Sequence, residues 1–158
     1  MSQPGDLAMI ARSIIDSNVY MALGTADETG DPWVSPLYFT ASQYAEFYWI
    51  SSPEARHSRN LARRPQVSLV IFDSRVAVGA GQAVYISARA EELTSGDVEG
   101  GLAIYNGRFP NPAELGVRLI KLEDVSAPAL FRLYRAVASE HWILDPGARS
   151  DVRIAVAV

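Results

Sequence analysis

The sequence predicts a mainly β protein with a few helices, built as an antiparallel β-barrel of six to eight strands. Short apolar runs rich in β-branched and aromatic residues recur along the chain, with Asp, Gly and Pro turns between them. Connections of hairpin length dominate, and strands and helices do not alternate as they do around a parallel sheet. A barrel of hairpins therefore fits better than a doubly wound sheet.

Length and composition indicate one globular domain over residues 1–158. Hydrophobic residues make up 49% of the chain and charged residues 20%, which is typical of a folded protein with a core. No apolar run approaches the length that crosses a bilayer, and the first residues lack the basic start and apolar stretch of a signal peptide. We therefore expect a cytoplasmic protein with no membrane partner.

Charge and metal-binding residue types exclude two further classes of partner. The formal net charge is -4, whereas nonspecific nucleic-acid binding needs a basic surface. The chain has no cysteine, and its two histidines, His57 and His141, lie too far apart in sequence to suggest a metal-binding motif. We expect neither a nucleic-acid partner nor a metal site.

The first half of the chain reads as helix, hairpin, strand and helix. Apolar residues at helical spacing predict a helix over residues 6–16. Two β-prone runs, 19–26 and 33–40, flank the turn DETGDP and predict a hairpin, and FYWIS predicts a third strand. The stretch from Pro53 to Pro65 then predicts a helix over 53–64, because proline suits a first helical turn.

The second half returns to strands. Residues 66–72 and 82–93 predict two strands, the second with Ala83, Tyr85, Ser87 and Arg89 on one face. Residues 95–106 have a helical pattern that Gly100 and Gly101 weaken, and one helical turn is expected within 108–116. Residues 127–145 and 151–158 predict the closing strands.

Four arginines and a histidine fall within residues 49–65. On a solvated helix, Leu61, Ala55 and Ala62 would face inward and Arg59 and Arg63 outward. The cluster as a whole favours an anion site, because Ser51 and Ser52 precede a helix start whose first turn carries Arg56 and His57. Hydroxyls, an arginine fork and free backbone N–H groups are the donors that a phosphate accepts together. The glycines and the lysine of a Walker loop are absent.

The order of these motifs resembles the pyridoxamine 5'-phosphate oxidase-like family, the FMN-binding split barrels. FYWISSPEARHSRNLARRPQVSLVIFD is similar to the family's strand, basic helix and following strand. GDPWVSPLYF resembles the strand that lies along the flavin ring, and GQAVYISARAEEL resembles the strand that begins with a glutamine. These matches lie within residues 19–93, and they imply a split barrel.

The resemblance also implies which residues bind FMN. The phosphate-binding positions fall on Ser51, Ser52, Arg56 and His57, and the positions beside the flavin ring fall on Trp33, Val34, Ser35, Pro36, Leu37 and Gln82. Most members have lysine where this chain has His57, which is only partly charged near neutral pH. The oxidase's C-terminal tryptophan and arginines have no aligned counterparts among Trp142, Arg149 and Arg153, so the resemblance supports flavin binding better than vitamin B6 oxidation.

The function implied is that of a flavin-dependent oxidoreductase, acting on an unidentified small molecule by hydride transfer at the flavin. It also implies a homodimer with both flavins at the interface. Because the cofactor carries the chemistry, no side chain is named as catalytic.

The sequence leaves three alternatives open. A deazaflavin coenzyme could replace FMN, with Arg59, Arg63 and Arg64 meeting its acidic tail. A non-enzymatic module could bind flavin, or haem with His57 or His141 as axial ligand. A chain without a cofactor would leave Arg56 as an ordinary surface residue.

Overall fold

The computed structural model describes residues 4–108, 111–116, 118–148 and 150–158. Within these ranges, eight strands form a single antiparallel sheet that three α-helices accompany, which confirms the mainly β, antiparallel prediction. In chain order the elements are α1 (Pro4–Ser17), β1 (Tyr20–Ala26), β2 (Pro32–Tyr38), β3 (Thr40–Ser42), β4 (Glu46–Ser51), α2 (Arg56–Arg63), β5 (Gln66–Phe72), β6 (Ala83–Glu92), α3 (Val98–Asn106), β7 (Arg132–Leu144) and β8 (Arg153–Ala155), with short 3-10 turns at Pro112–Leu115 and Leu122–Asp124.

The sheet curls into a split barrel. Its strand order is β2-β1-β5-β6-β7-β4-β3, and β8 pairs with β7 beside this path. The long strand β7 pairs with β6, β4 and β8, and a register shift at Ser87/Ala88 marks an irregularity between β6 and β7. Such irregularities bend and twist a strand. As a result β2, at one end of the strand order, contacts β4 near the other end.

The main core lies between α1 and the concave face of the sheet. Ile15 and Ala11 of α1 are fully buried among the inward residues of β1, β5 and β6, as the apolar spacing of residues 6–16 predicts. Trp49 of β4 stacks on Tyr134 of β7 with ring centroids 5.7 Å apart. The opposite face of β1, β2, β5 and β6, which carries Val34, Val70 and Phe72, is called the outer face below.

A smaller core forms where α3 packs on β4 and β7. Gly101 makes this contact possible, because a Cβ at this position would lie 2.7 Å from Leu93 Cδ1 and 2.9 Å from Leu133 Cδ2. The glycine that weakens the helix propensity of this segment is thus the residue that lets the helix approach the sheet.

Several element boundaries differ from the sequence prediction, and β7 begins at Arg132, five residues later than expected. The helix expected from Pro53 begins at Arg56, since Ala55 is extended (ψ 145) and residues 52–55 form a turn closed by the Ala55 N–H to Ser52 carbonyl bond. Ala62 is exposed and does not face inward as expected. The last strand spans only Arg153–Ala155 of the expected residues 151–158. The expected helical turn is the 3-10 turn at Pro112–Leu115; residues 109–110, residue 117 and Arg149 lie outside the described residues. Among the described helices, none has the length and apolar character needed to cross a membrane.

Candidate functional site

His57 joins the two distant strands that meet beneath α2. Its Nδ1 lies 3.0 Å from Ser35 Oγ on β2, and its Nε2 lies 2.9 Å from Ser51 Oγ on β4. All three residues are buried. Burial lowers the pKa of His57, so the neutral ring is favoured. In a neutral ring, one nitrogen donates a hydrogen bond to one of the two serine hydroxyls, and the other nitrogen accepts a hydrogen bond from the other hydroxyl. His57 therefore fastens β2 to β4 beneath the first turn of α2.

A second hydrogen-bonded chain holds α2 against β1 and β2. The buried Asn60 donates from Nδ2 to Thr25 Oγ1 at 3.1 Å, and the Thr25 hydroxyl donates to the Trp33 carbonyl at 3.3 Å. Neither Asn60 nor Thr25 is among the site residues that the sequence predicts. The sequence does contain a signal for Asn60, which directly precedes the inward-facing Leu61. An amide at a buried helix position needs hydrogen-bond partners, so this position indicates a polar contact with another element.

Arg56 lies at the open edge of this junction. Its guanidinium carbon is 4.5 Å from the centroid of the Trp33 ring, and Nη2 lies 2.5 Å from Asp31 Oδ2. The Arg56 and Asp31 side chains remain 38% and 62% exposed. An ion pair this open to solvent contributes little to stability, so an incoming anion can displace Asp31 at small cost.

The start of α2 offers further donors beside Arg56. No side chain caps the helix at Ala55, and the N–H groups of a first turn have no acceptor within their own helix. Ser52 Oγ accepts from the Glu54 N–H at 3.1 Å, which leaves its own proton available. Together with the positive end of the helix dipole, these groups can hold a phosphate or carboxylate.

The structure brings most of the predicted residues to one place. Trp33, Ser35, Ser51, Arg56 and His57 are linked by the contacts above, and Ser52 lies in the turn that precedes α2.

The other predicted positions lie elsewhere on the sheet. Val34 and Pro36 are exposed on the outer face, and Leu37 packs partly against the main core. Gln82 lies just before β6, at the end of β5 and β6 remote from α2, and its Oε1 is buried without a hydrogen-bond partner in the described part of the chain. One chain therefore does not bring Gln82 to Arg56.

His141 makes structural contacts within the sheet. Its Nε2 donates to the Tyr44 carbonyl at 2.9 Å, and its ring lies beside Phe47. Burial lowers its pKa, against a smaller upward effect of this hydrogen bond. Across the described ranges no group of three or more His, Cys, Asp or Glu side chains is placed to hold a metal ion.

The fold and the junction at α2 define a class of protein, an antiparallel split barrel with anion donors where a strand enters a helix. Residues 10–127 match the family model described as pyridoxamine 5'-phosphate oxidase. This match covers more than half of the chain, and the chain belongs to the pyridoxamine 5'-phosphate oxidase-like family, as the sequence resemblance predicts. No curated protein matches it significantly.

Solved structures with this fold come from proteins with different described ligands. HutZ, a haem storage protein from Vibrio cholerae, is 23% identical with a TM-score of 0.64, over 84% of this chain and 90% of HutZ. A haem-binding protein from Mycobacterium smegmatis is 19% identical with a TM-score of 0.70, over 98% of this chain and 59% of that protein. An FAD-binding protein from Mesorhizobium loti is 20% identical with a TM-score of 0.63, over 86% and 92%. At this identity the similarity shows the fold.

Proposed function

We propose that this protein binds FMN and acts as an oxidoreductase on a small organic molecule. The observation that carries the proposal is the Arg56 guanidinium, which lies over Trp33 beside the uncapped start of α2. Membership of the oxidase-like family and the flavin-binding neighbour support this choice of ligand. When bound, FMN supplies hydride transfer at its ring, and the chain supplies binding and orientation.

The phosphate is held by Arg56, by the first-turn N–H groups of α2 and by the Ser52 hydroxyl. Binding replaces Asp31 as the partner of the guanidinium, and a charge-assisted bond to phosphate can be bidentate where the bond to Asp31 uses a single nitrogen. His57 acts in this proposal as a positioning residue, because its two nitrogens are engaged with Ser35 and Ser51. The phosphate is therefore bound by one cationic side chain, Arg56, whereas the resemblance implies a basic pair formed by Arg56 and His57.

The flavin ring lies along β2 in this proposal. β2 is at the end of the strand order, so one row of its backbone groups has no neighbouring strand in this sheet. Free N–H and C=O groups of an edge strand are suited to the pyrimidine edge of a flavin, which both donates and accepts hydrogen bonds. Trp33, Ser35 and Leu37 share the face of β2 that points toward α2 and the core.

A homodimer completes the site in this proposal. The outer face exposes Val34 at 63% and Phe72 at 48%, next to a hollow that Val70, Tyr85 and Gln82 line. Since Gln82 lies far from Arg56 within one chain, it reaches a flavin at Arg56 only if a second copy presents it. Pairing through the outer face accounts for both the exposed apolar residues and the predicted role of Gln82.

The test compares FMN with riboflavin, which lacks the phosphate. We expect a flavin absorption spectrum after purification or reconstitution, and tighter binding of FMN than of riboflavin. Arg56→Ala should weaken FMN binding by about 1.5–3 kcal/mol, the worth of a hydrogen bond to a charged group, which is roughly tenfold to a hundredfold in Kd. Riboflavin affinity should change little.

Arg59→Ala is the matched control, because Arg59 is an exposed arginine of the same helix whose guanidinium donates to the Glu54 carbonyl and not to Asp31 beside Trp33. An equal loss in both variants, or FMN affinity unchanged by Arg56→Ala, contradicts the phosphate site. Turnover with candidate substrates then tests the oxidoreductase activity separately.

Haem finds less support at the residues on which it depends. In the haem alternative the axial ligand is His57, whose two nitrogens are hydrogen-bonded, or His141, whose Nε2 is engaged. The deazaflavin alternative is not disfavoured in this way, because the Arg63 pair with Glu28 is at least as open to solvent as the Arg56 pair with Asp31 and is displaced as easily. A Soret band that disappears in a His141 variant would favour haem over flavin.

A further inference from the structure

A second cavity lies on the side of α2 that faces away from β1 and β2. It has a volume of about 540 Å³ and opens between α2 and the ends of β6 and β7. Its size is in the range of small-molecule sites. None of the ten positions that the sequence assigns to flavin lines it. Its lining includes Ser58, Leu61 and Ala62 of α2, Arg89 and Ala90 of β6, and Tyr134 of β7.

Two hydroxyl groups in this cavity are poorly satisfied. Ser58 is 3% exposed, and its Oγ has no hydrogen-bond partner among the described residues. The Tyr134 hydroxyl makes one long contact, 3.4 Å to Glu92 Oε2. Burial raises the pKa of Tyr134, and a hydrogen bond from the neighbouring Ser58 side chain lowers it. The two hydroxyls therefore lie beside one another, and because their contacts are of poor geometry they offer donors to a polar atom of a bound molecule.

The charges around the cavity leave a positive excess at one point. Glu91 is paired with Arg135 at 2.6 Å, and Glu92 lies 3.6 Å from Arg132. Arg89 is exposed and forms no ion pair within the described part of the chain. The lining arginines of α2 also have partners, since Arg63 pairs with Glu28 at 2.8 Å and Arg59 donates to the Glu54 carbonyl. Among the described lining residues, Arg89 is then the cation without an ion pair or a side-chain hydrogen bond.

The walls between these polar groups are apolar. Leu61, Pro65 and Ala90 lie along the junction of α2 with β6, and Val137 lies on β7. A ligand that satisfies the whole cavity has an apolar body, a polar atom for the inner hydroxyls and a negative charge for Arg89.

We propose that this cavity binds a small amphipathic organic anion, with its apolar body against Leu61 and Ala90 and its charged group at Arg89. The site is separate from the FMN site, since α2 turns His57 and Asn60 toward the strands and Ser58 and Ala62 toward the cavity. Its ligand therefore binds whether or not FMN is present.

The experiment uses a matched pair of fluorescent probes on the full chain. Anilinonaphthalene sulfonate is an amphipathic anion, and phenylnaphthylamine has the same ring system without the charge. We expect the sulfonate to bind more tightly than the amine. Arg89→Ala should reduce this preference at least fivefold, and Ala62→Trp should abolish both signals by filling the cavity from an exposed helix position. Arg75→Ala, a surface arginine in a distant turn, should leave the preference unchanged.

Each arm can overturn the proposal. If the sulfonate still binds to the Ala62→Trp variant, its binding site is not this cavity. If Arg89→Ala leaves the preference for the sulfonate over the amine unchanged, Arg89 does not bind the negative charge. Displacement of the sulfonate by FMN places it in the flavin site. If FMN does not bind at all, the proposed flavin function fails, but the Ala62 and Arg89 variants still decide the cavity. Absence of sulfonate binding to the folded wild-type protein also overturns it.

Discussion

His57 is a buried residue whose hydrogen bonds give it a structural role next to the proposed phosphate site. The family resemblance places it at a phosphate-binding position, whereas its two hydrogen bonds to Ser35 and Ser51 connect β2 to β4. The Arg56 side chain next to it is turned outward and half-exposed. Adjacent residues at the start of α2 thus have different roles: His57 connects the strands, and Arg56 is the residue that the proposed function assigns to the phosphate.

The burial of His57 predicts a pH dependence of stability. Its pKa in the folded chain is below its ordinary value of about 6.5. The unfolded chain therefore binds more protons near pH 6, and the stability present above about pH 6.5 is lost as the pH falls toward the folded pKa. His141, whose pKa is also lowered, contributes in the same direction.

Urea unfolding at pH 7.5 and pH 5.5 measures this effect. His57→Gln cannot take up the proton, so the loss of free energy of unfolding between the two pH values should be smaller than in the wild type. His141→Gln should likewise reduce the pH dependence of the free energy of unfolding, by the contribution of His141. A His57→Gln protein with the full wild-type pH dependence would show that His57 does not titrate as its burial indicates.

At the scale of elements, the presence of the long strands is easier to predict than the ends of strands and helices, since β7 begins five residues later than expected and the start of α2 three residues later. The alternation of β5 and β6 and the hairpin of β1 and β2 follow from local pattern, because each strand buries one face. The start of α2 depends on the turn at Ser52 and Ala55, which no periodicity records. The pairing of Asn60 with Thr25 and the meeting of Ser35 with Ser51 at His57 are long-range contacts, so only the folded sheet could reveal them.

Helix α3 allows a direct test of packing against propensity. Gly101→Ala puts a methyl group into contact with Leu93 and Leu133, at a cost of about 1–3 kcal/mol. Gly100→Ala meets no atom within 4 Å and should stabilise the helix by up to about 1 kcal/mol. Thermal unfolding of the two variants should give shifts of opposite sign. Equal shifts would mean that α3 does not pack closely against β4 and β7.

For the whole molecule, the question is how the outer face is covered. One chain leaves Phe72 and Val34 exposed on it, with Gln82 nearby and the Arg56 site at the far end of the sheet. In the proposed assembly, a pair of chains joined by this face removes the apolar residues from water and brings Gln82 of one copy to the Arg56 site of the other. The dimer is a proposal that the sequence resemblance implies and that the placement of Gln82 supports.

Phe72→Glu tests the pairing, because a charge placed in the outer face opposes its burial. We expect light scattering to give a molar mass of two chains for the wild type and one chain of 17.2 kDa for the variant. FMN affinity should fall at the same time, since Gln82 of the second copy is lost. Val78→Glu adds the same charge to a fully exposed loop residue and should remain dimeric. A wild-type monomer that binds FMN would refute this assembly.

The two prolines of β2 have a consequence for the chain before it finds a partner. Pro36 pairs with Ala22, and Pro32 pairs with Ala26, so both lie at positions of β2 where the N–H direction points away from β1. Between them, Val34 alone presents an N–H along that free edge. A foreign strand therefore finds an interrupted row of donors and cannot extend the sheet by regular pairing. This edge resists aggregation, the usual hazard of an open strand, while its carbonyl groups stay accessible.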